Sequence, residues 1–161
     1  MIIVSDTSCI INLISIQQIH LLENLFGKVI IPHAVYEEIV IEGAGKQGAE
    51  QLETYSWIEV RKCNNENLLN RISKSLDDGE SEAIVLAIEL KADLLLIDEA
   101  KGRTIARENG IPIIGLLGVL VRAKQKGHIS NVKSLMDELI SHAQFKIADE
   151  LYFEVLKISG E

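Results

Sequence analysis

Five acidic residues of this chain lie where carboxylate chemistry is possible. Each one follows a short apolar run or opens a helical segment: Asp6, Glu38, Glu80, Glu82 and Asp98. Ligands of parallel α/β sheets bind outside the carboxyl ends of the strands, so acids at those ends would meet at one edge. Carboxylates that meet repel one another unless a divalent cation lies among them, and all-oxygen ligands suit Mg²⁺ or Mn²⁺. The spacing predicts a metal site and metal-dependent hydrolysis of phosphodiester bonds.

Each of these acids also has a structural explanation when it is taken alone. Asp6 could cap the following helix, Glu80 could be a first-turn charge at the positive helix end, and Glu82 could be a solvated surface residue. Glu38 is preferred to its neighbour Glu37, because its spacing from the preceding apolar residues turns it closer to the core face. The functional interpretation depends on all of the acids occurring together in one chain.

The elements that must position these acids alternate between apolar runs and helical segments. Predicted strands cover residues 2–4, 29–31, 57–60, 94–97 and 111–114. Predicted helices cover 9–26, 32–40, 49–55, 64–70, 79–90 and 100–109, and two or three more follow towards the C-terminus. Pro112 interrupts the last strand, which fits an edge position. This alternation predicts a three-layer α/β/α sandwich with a central parallel sheet of about five strands.

Composition limits the class of protein. The chain has 161 residues, which predicts one domain over residues 1–161 with a C-terminal helical extension at 130–161. The net charge of −8 argues against a protein that holds nucleic acid by bulk charge, but not against a nuclease with a small phosphate-binding patch.

No apolar run reaches about 18 residues, so no membrane span is expected. The N-terminal run lacks the basic region of a signal peptide. Cys9 and Cys63 fit no metal spacing and are interpreted as structural thiols of a cytoplasmic protein.

Three other motifs are excluded by their context. Residues 43–48 match the dinucleotide-binding pattern GxGxxG, but they follow a predicted helix instead of a strand and are interpreted as a loop. A haloacid-dehalogenase-type phosphatase would need an aspartate where Ser8 stands. A response-regulator receiver would need one at the end of the third apolar run, which reads Val60-Arg61.

The order of motifs resembles that of PIN-domain ribonucleases over nearly the whole chain, about residues 1–130. Residues 76–84 read LDDGESEAI and are similar to the LDxGExEAI motif of a prokaryotic subgroup of that family. Further segments are similar to other motifs of the family: 4–8 (VSDTS), 31–39 (IPHAVYEEI), 95–103 (LLIDEAKGR) and 115–127. The resemblance implies a PIN-like fold and a metal-dependent endoribonuclease of single-stranded RNA, often the toxin of a toxin–antitoxin pair.

The resemblance also implies roles for individual residues. The residues that bind Mg²⁺ or Mn²⁺ and carry catalysis would be Asp6, Glu38, Glu82 and Asp98, with Glu80 as the alternative to Glu82. Thr7 and Ser8 would orient a carboxylate or a water. Arg103 would hold a carboxylate in place or bind phosphate, and the holding role is favoured. Weaker candidates for substrate contact are Lys46, Lys101 and Lys124.

Partners follow from the same resemblance and from the C-terminal segment. Residues 135–158 have apolar side chains at helical spacing, for which core packing is the default and a dimer interface or a groove for a partner helix is the alternative. We expect single-stranded RNA as substrate, a protein antitoxin as partner, a homodimer and no membrane association. The competing function is a catalytically inactive PIN-like domain that binds nucleic acid or protein.

Overall fold

A five-stranded parallel sheet forms the centre of the computed structural model, which describes residues 1–42 and 48–161. The strands are β1 (Ile3–Ser5), β2 (Val29–Pro32), β3 (Ile58–Arg61), β4 (Leu94–Leu96) and β5 (Ile113–Ile114). Their order in the sheet is β3-β2-β1-β4-β5, and every neighbouring pair is parallel. The predicted α/β/α sandwich is confirmed, and β5 lies at an edge of the sheet. Most of the predicted loop 43–48 lies outside the described residues.

Helices cover both faces of this sheet. They are α1 (Thr7–Ser15), α2 (His20–Phe26), α3 (His33–Tyr36), α4 (Glu66–Ile72), α5 (Asp78–Leu90), α6 (Ala100–Glu108), α7 (Leu116–Gln125), α8 (Lys133–His142) and α9 (Asp149–Ile158). A π-helix (Glu37–Ile41) continues α3, and a 3₁₀-helix (Ala49–Thr54) precedes β3. Within the described part of the chain, no helix is long and apolar enough to cross a membrane.

The prediction of one helix over residues 9–26 is wrong. The structure has two helices, α1 and α2, separated by a turn in which Gln17 has a φ of 58°. A residue with a Cβ atom is strained in this left-handed region, and its conformation ends the helix. The Gln18 amide then donates to the Leu13 carbonyl at 2.8 Å and closes the turn. The predicted helix 32–40 likewise begins as a single α-helical turn before it widens into the π-helix.

The core has two halves, one on each face of the sheet. Successive strand residues point to opposite faces, so Ile3 belongs to the half of the core that contains residues of α1, α2, α7 and α8, while Val4 belongs to the half that contains residues of α4, α5 and α6. Both side chains are at most 1% exposed. Strands that are buried on both faces read as continuous apolar runs, which explains why the sequence pattern revealed them.

The register of the sheet brings the ends of β1 and β4 together. Ser5 is paired with Leu96, and the Asp6 amide donates to the Leu96 carbonyl at 3.1 Å. The chain leaves β1 towards β2 on one side, while β4 pairs on the other side, which makes this edge the switch point of strand order. Asp6 and Asp98 therefore leave the sheet at the same edge.

Candidate active site

Asp6 lies between the end of β1 and the start of α1. Its side chain is 1% exposed, Oδ1 accepts a hydrogen bond from the Cys9 amide at 3.1 Å, and Oδ2 accepts one from Ser8 Oγ at 3.3 Å. The carboxylate thus caps α1, in agreement with its structural explanation. Burial raises the pKa of Asp6 to about 7; the Cys9 amide opposes the shift, and the charge of Asp98 adds to it.

Asp98 faces Asp6 across the edge of the sheet. Its Oδ1 accepts a hydrogen bond from the amide of Leu116 at 3.0 Å, so the positive end of α7 points at this carboxylate. Its Oδ2 accepts one from the buried thiol of Cys9 at 3.3 Å. Burial, followed by the charges of the two aspartates, holds the pKa of the Cys9 thiol well above its ordinary value, so the thiol stays a donor.

Cys9 is therefore part of the site, which the interpretation as a structural thiol missed. Its amide binds Asp6 and its thiol binds Asp98, so one residue orients both carboxylates. The available signal was its position three residues after Asp6, where an N-capping carboxylate finds its amide partner.

Glu38 reaches the same edge from the π-helix. Its Oε2 accepts a hydrogen bond from Thr7 Oγ1 at 2.6 Å, and its Oε1 accepts one from the Gly79 amide at 3.0 Å. Burial raises the pKa of Glu38, and the bond from Thr7 opposes this. A Cβ atom at position 79 would lie 2.8 Å from both Glu38 Oε1 and Thr7 Oγ1, so a larger residue there would push the Glu38 carboxylate out of this position. Because Thr7 follows Asp6 and Gly79 precedes Glu80, Glu38 links the starts of α1 and α5.

Glu80, in the first turn of α5, ends in an oxygen without a partner. Its Oε2 is buried and accepts no hydrogen bond from the residues that the structure describes. Burial raises the pKa of Glu80 to about 8, and the neighbouring carboxyl groups of Asp77 and then Glu99 add to the shift. A buried acceptor without a donor is costly, and each such group in a native protein calls for an explanation such as an ion.

Glu82 faces a different part of the molecule. Its Oε1 accepts a hydrogen bond from the Ala34 amide in α3 at 3.2 Å. It also lies near Cys63, whose pKa is raised to about 11 by burial and then by the charge of Glu82. Helical residues two positions apart are about 200° apart around the axis, so Glu80 and Glu82 cannot face the same site. These contacts favour Glu80, the alternative of the sequence prediction, as the fourth carboxylate.

A cavity of about 1120 Å³ opens beside the acids and extends between α6, α7 and α9. Ser8, Glu80, Asp98 and Glu99 line its acidic end; the buried Asp6 does not line it, and neither do Glu38 and Glu82. Those two acids differ in what they contact: Glu38 is hydrogen-bonded to the backbone just before Glu80, and Glu82 is bonded to α3. The cavity is therefore the open space in which a ligand of the acids would lie, and we call it the cleft.

Arg103 lines the cleft close to Asp98. Its Nη1 donates to the Ile97 carbonyl at 3.2 Å, which ties α6 to the end of β4. A Cβ atom at Gly115 would lie 2.7 Å from both Arg103 Nη1 and Asp98 Oδ1, so the glycine leaves room for both groups beside the start of α7. Within the described residues no acidic oxygen lies within 4.0 Å of Arg103, so its role in holding a carboxylate stays a prediction.

Of the three lysines predicted to contact substrate, the two that the structure describes do not line the cleft. Lys124 Nζ pairs with Glu161 at 2.9 Å, Lys101 does not line the cleft, and Lys46 lies outside the described residues. The cations that do line the cleft are Arg103, Arg107, Arg122 and Lys146. The last three were missed, because the sequence alone does not show which helix faces meet in space.

The donor set at this edge fits a hard divalent cation. Glu80 Oε2 has no donor, and burial and then the charge of Asp98 make Asp6 hard to ionise, so a nearby cation would stabilise each of these carboxylates. All the groups concerned are carboxylates, which suit Mg²⁺ or Mn²⁺. Among residues 1–42 and 48–161, however, no three histidine, cysteine or acidic side chains are already arranged as a metal-binding group.

Two comparisons relate the chain to known proteins. A family model described as DUF3368, PIN domain, matches residues 2–161. A solved structure with a similar fold is that of a PilT N-terminus domain protein from the hyperthermophilic archaeon Sulfolobus solfataricus P2. The two sequences are 22% identical, the match covers 76% of this chain and 93% of that one, and the TM-score is 0.53. At this identity the likeness shows the fold alone. No curated protein matches the chain.

Proposed function

Because this chain belongs to the PIN-domain family, whose fold is generally that of nucleases, we propose that it is a Mg²⁺- or Mn²⁺-dependent endoribonuclease of single-stranded RNA. The observation that carries the proposal is the buried, unpartnered oxygen of Glu80 in the same cavity as Asp98. We add Asp6 and Glu38 to the proposed metal-binding carboxylates. Cys9 binds both Asp6 and Asp98, and Glu38 accepts a hydrogen bond from the Gly79 amide, directly before Glu80.

The residues that would hold the cation are Asp6, Glu38, Glu80 and Asp98. When bound, a divalent cation supplies positive charge that stabilises the phosphate in an in-line displacement. The protein orients the carboxylates through its own donors: the Cys9 amide on Asp6 and the Leu116 amide on Asp98. Ser8, exposed on the cleft wall and bonded to Asp6, has a hydroxyl that can also meet a phosphate oxygen.

Cleavage of a labelled single-stranded RNA tests this proposal. We expect cleavage with Mg²⁺ or Mn²⁺ and none with EDTA. Asp6→Asn and Glu80→Gln should each lower the rate by roughly 100-fold. Glu82→Gln is the matched control and should stay close to the wild type, since Glu82 contacts α3 instead of the cleft. Metal-independent cleavage that survives Asp6→Asn would refute the proposal.

Calorimetric titration with Mn²⁺ separates the enzyme from its main competitor. A chain that neither binds Mn²⁺ nor cleaves RNA would favour the inactive PIN-like binding module. Binding that is lost in Glu80→Gln and kept in Glu82→Gln would support the assignment of the fourth carboxylate to Glu80.

The toxin role, a protein antitoxin, a homodimer and a cytoplasmic location are further predictions that rest on the resemblance to the toxin subgroup. Induced expression in a bacterial host should arrest growth for the wild type and not for Asp6→Asn. Light scattering during size-exclusion chromatography measures the oligomeric state directly.

A further inference from the structure

The cleft carries cations that no carboxylate neutralises. Arg107, Arg122 and Lys146 line it, and within the described ranges none of them has an acidic oxygen within 4.0 Å. The chain as a whole has a net charge of −8, so three unneutralised cations along one cavity run against its average. Beyond its acidic end, where Glu80, Asp98 and Glu99 line it, the cleft therefore carries a local positive surface of the kind that can bind an anionic chain.

Two of these cations lie on helices that begin beside the acids at the sheet edge, Arg107 on α6 and Arg122 on α7. Arg103 and Arg107 are one turn apart on the same face of α6, and Arg107 is about 10 Å beyond Ala100 at the start of that helix. On α7, Arg122 is about 9 Å beyond Leu116, whose amide binds Asp98. Its guanidinium lies 5.8 Å from the centre of the Phe26 ring, which helps to hold it in place.

The wall between the cations is apolar and partly open to solvent. It includes side chains from β5, α7, the α8–α9 connection and α9: Ile114, Leu117, Val121, Phe145 and Leu151. Leu151 is 45% exposed and Phe145 is half-buried. Grooves for single-stranded nucleic acid combine cations that follow the backbone with aromatic or apolar surfaces against which bases pack.

We propose that the cleft binds the single strand on one side of the scissile phosphate, with Arg107, Arg122 and Lys146 contacting successive phosphates. This inference rests on the proposed function, because it assumes that the acids position the phosphate to be cleaved. An amphipathic protein segment is the competing occupant. The strand is favoured because the cleft is continuous with Asp98 and Glu80, so a substrate cleaved at the acids must enter it.

Binding measured without cleavage tests the inference. The probe is a fluorescently labelled single-stranded RNA of about twelve nucleotides, followed by anisotropy in EDTA across a series of salt concentrations. The test variant is Arg107→Gln/Lys146→Gln. The matched control is Lys62→Gln/Lys74→Gln, which removes the same charge from two exposed lysines that do not line the cleft.

Loss of two phosphate contacts should weaken binding about tenfold at moderate salt and reduce the slope of log K against log salt by about 1.4, or 0.7 per contact. The control should leave the slope unchanged. If the double variant fails to fold, the exposed single variant Lys146→Gln carries the test with an expected slope change of about 0.7.

Equal slopes in the test variant and the wild type, or no binding by the wild type at low salt, would overturn the inference and favour a protein occupant. Its failure can be told apart from that of the proposed function. Cleavage with an unchanged salt slope would remove the cleft assignment alone, whereas cleft-dependent binding without cleavage would remove the nuclease assignment alone.

Discussion

Replacement of Asp6 by Asn should separate the activity of the site from the stability of the fold. The Asp6 carboxylate is 1% exposed and lies beside Asp98, so its negative charge destabilises the folded state. Asparagine keeps the shape of the side chain and the oxygen that accepts the Cys9 amide, but it removes the charge. We expect Asp6→Asn to lower the cleavage rate by roughly 100-fold and, in the absence of metal, to raise the free energy of unfolding above neutral pH.

The sign and size of this effect follow from the pKa of Asp6, which folding raises from 3.8 to about 7. Below 3.8 the carboxyl group is protonated in both the folded and the unfolded chain, and the wild type loses nothing. Between the two values the folded chain holds a proton that the unfolded chain has released, so the stability of the wild type falls as pH rises. The full shift corresponds to about 4 kcal/mol. Structural relaxation and water entry reduce this to about 2–4 kcal/mol.

Urea unfolding in EDTA between pH 4 and pH 8 measures this difference. The gain of Asp6→Asn over the wild type should grow from near zero at about pH 4 to about 2–4 kcal/mol at about pH 8. Asp149→Asn, at an exposed aspartate in the first turn of α9, is the control and should change stability by no more than about 0.5 kcal/mol. Mg²⁺ should narrow the gap, because it binds the wild-type carboxylate. A variant that is less stable than the wild type at pH 8, or a gap that does not vary with pH, would refute the reasoning.

Three further predictions concern other contacts of the fold and the site. Partial burial raises the pKa of Glu161, but hydrogen bonds from two amides at the start of α8 and from Lys124 outweigh it and lower the pKa to about 2. Glu161→Gln should therefore lose about 1 kcal/mol at neutral pH, and urea unfolding should show the loss disappear as pH falls from 4.5 through 2. Gly79→Ala would push the Glu38 carboxylate away from the Gly79 amide, which should cost about 1 kcal/mol of stability and most of the cleavage activity, so wild-type cleavage in this variant would contradict the contact. Cys9→Ser keeps a donor for the carboxylates, whereas Cys9→Ala should cleave RNA about tenfold more slowly than Cys9→Ser.

Much of the fold could be predicted because its strands are buried on both faces. The runs at residues 2–4 and 94–97, which form most of β1 and all of β4, are apolar, and this pattern together with the intervening helices specifies a parallel sheet. The break between α1 and α2 could not be predicted in this way. Apolar residues continue through Ile16 and Ile19, so the periodicity of side chains does not reveal the backbone turn at Gln17.

The site was predicted best where an acid directly follows a strand. Asp6 and Asp98 come immediately or almost immediately after β1 and β4, so strand direction alone brings them to one edge. Arg107, Arg122 and Lys146 belong to three separate segments, and they share a surface only because α6, α7 and α9 pack around one cleft. No local sequence pattern shows that residues of these three segments lie on one surface.

The sequence by itself determined which edge of the sheet carries the acids, because the position of a residue after a strand is a property of the chain. Tertiary structure decided which acid of α5 faces the cleft. Residues 83–87 of this helix are all buried, so its apolar residues do not define a narrow face and cannot reveal its rotation. Packing against α3 and α6 sets that rotation, and it turns Glu82 towards the Ala34 amide and Glu80 towards the cleft.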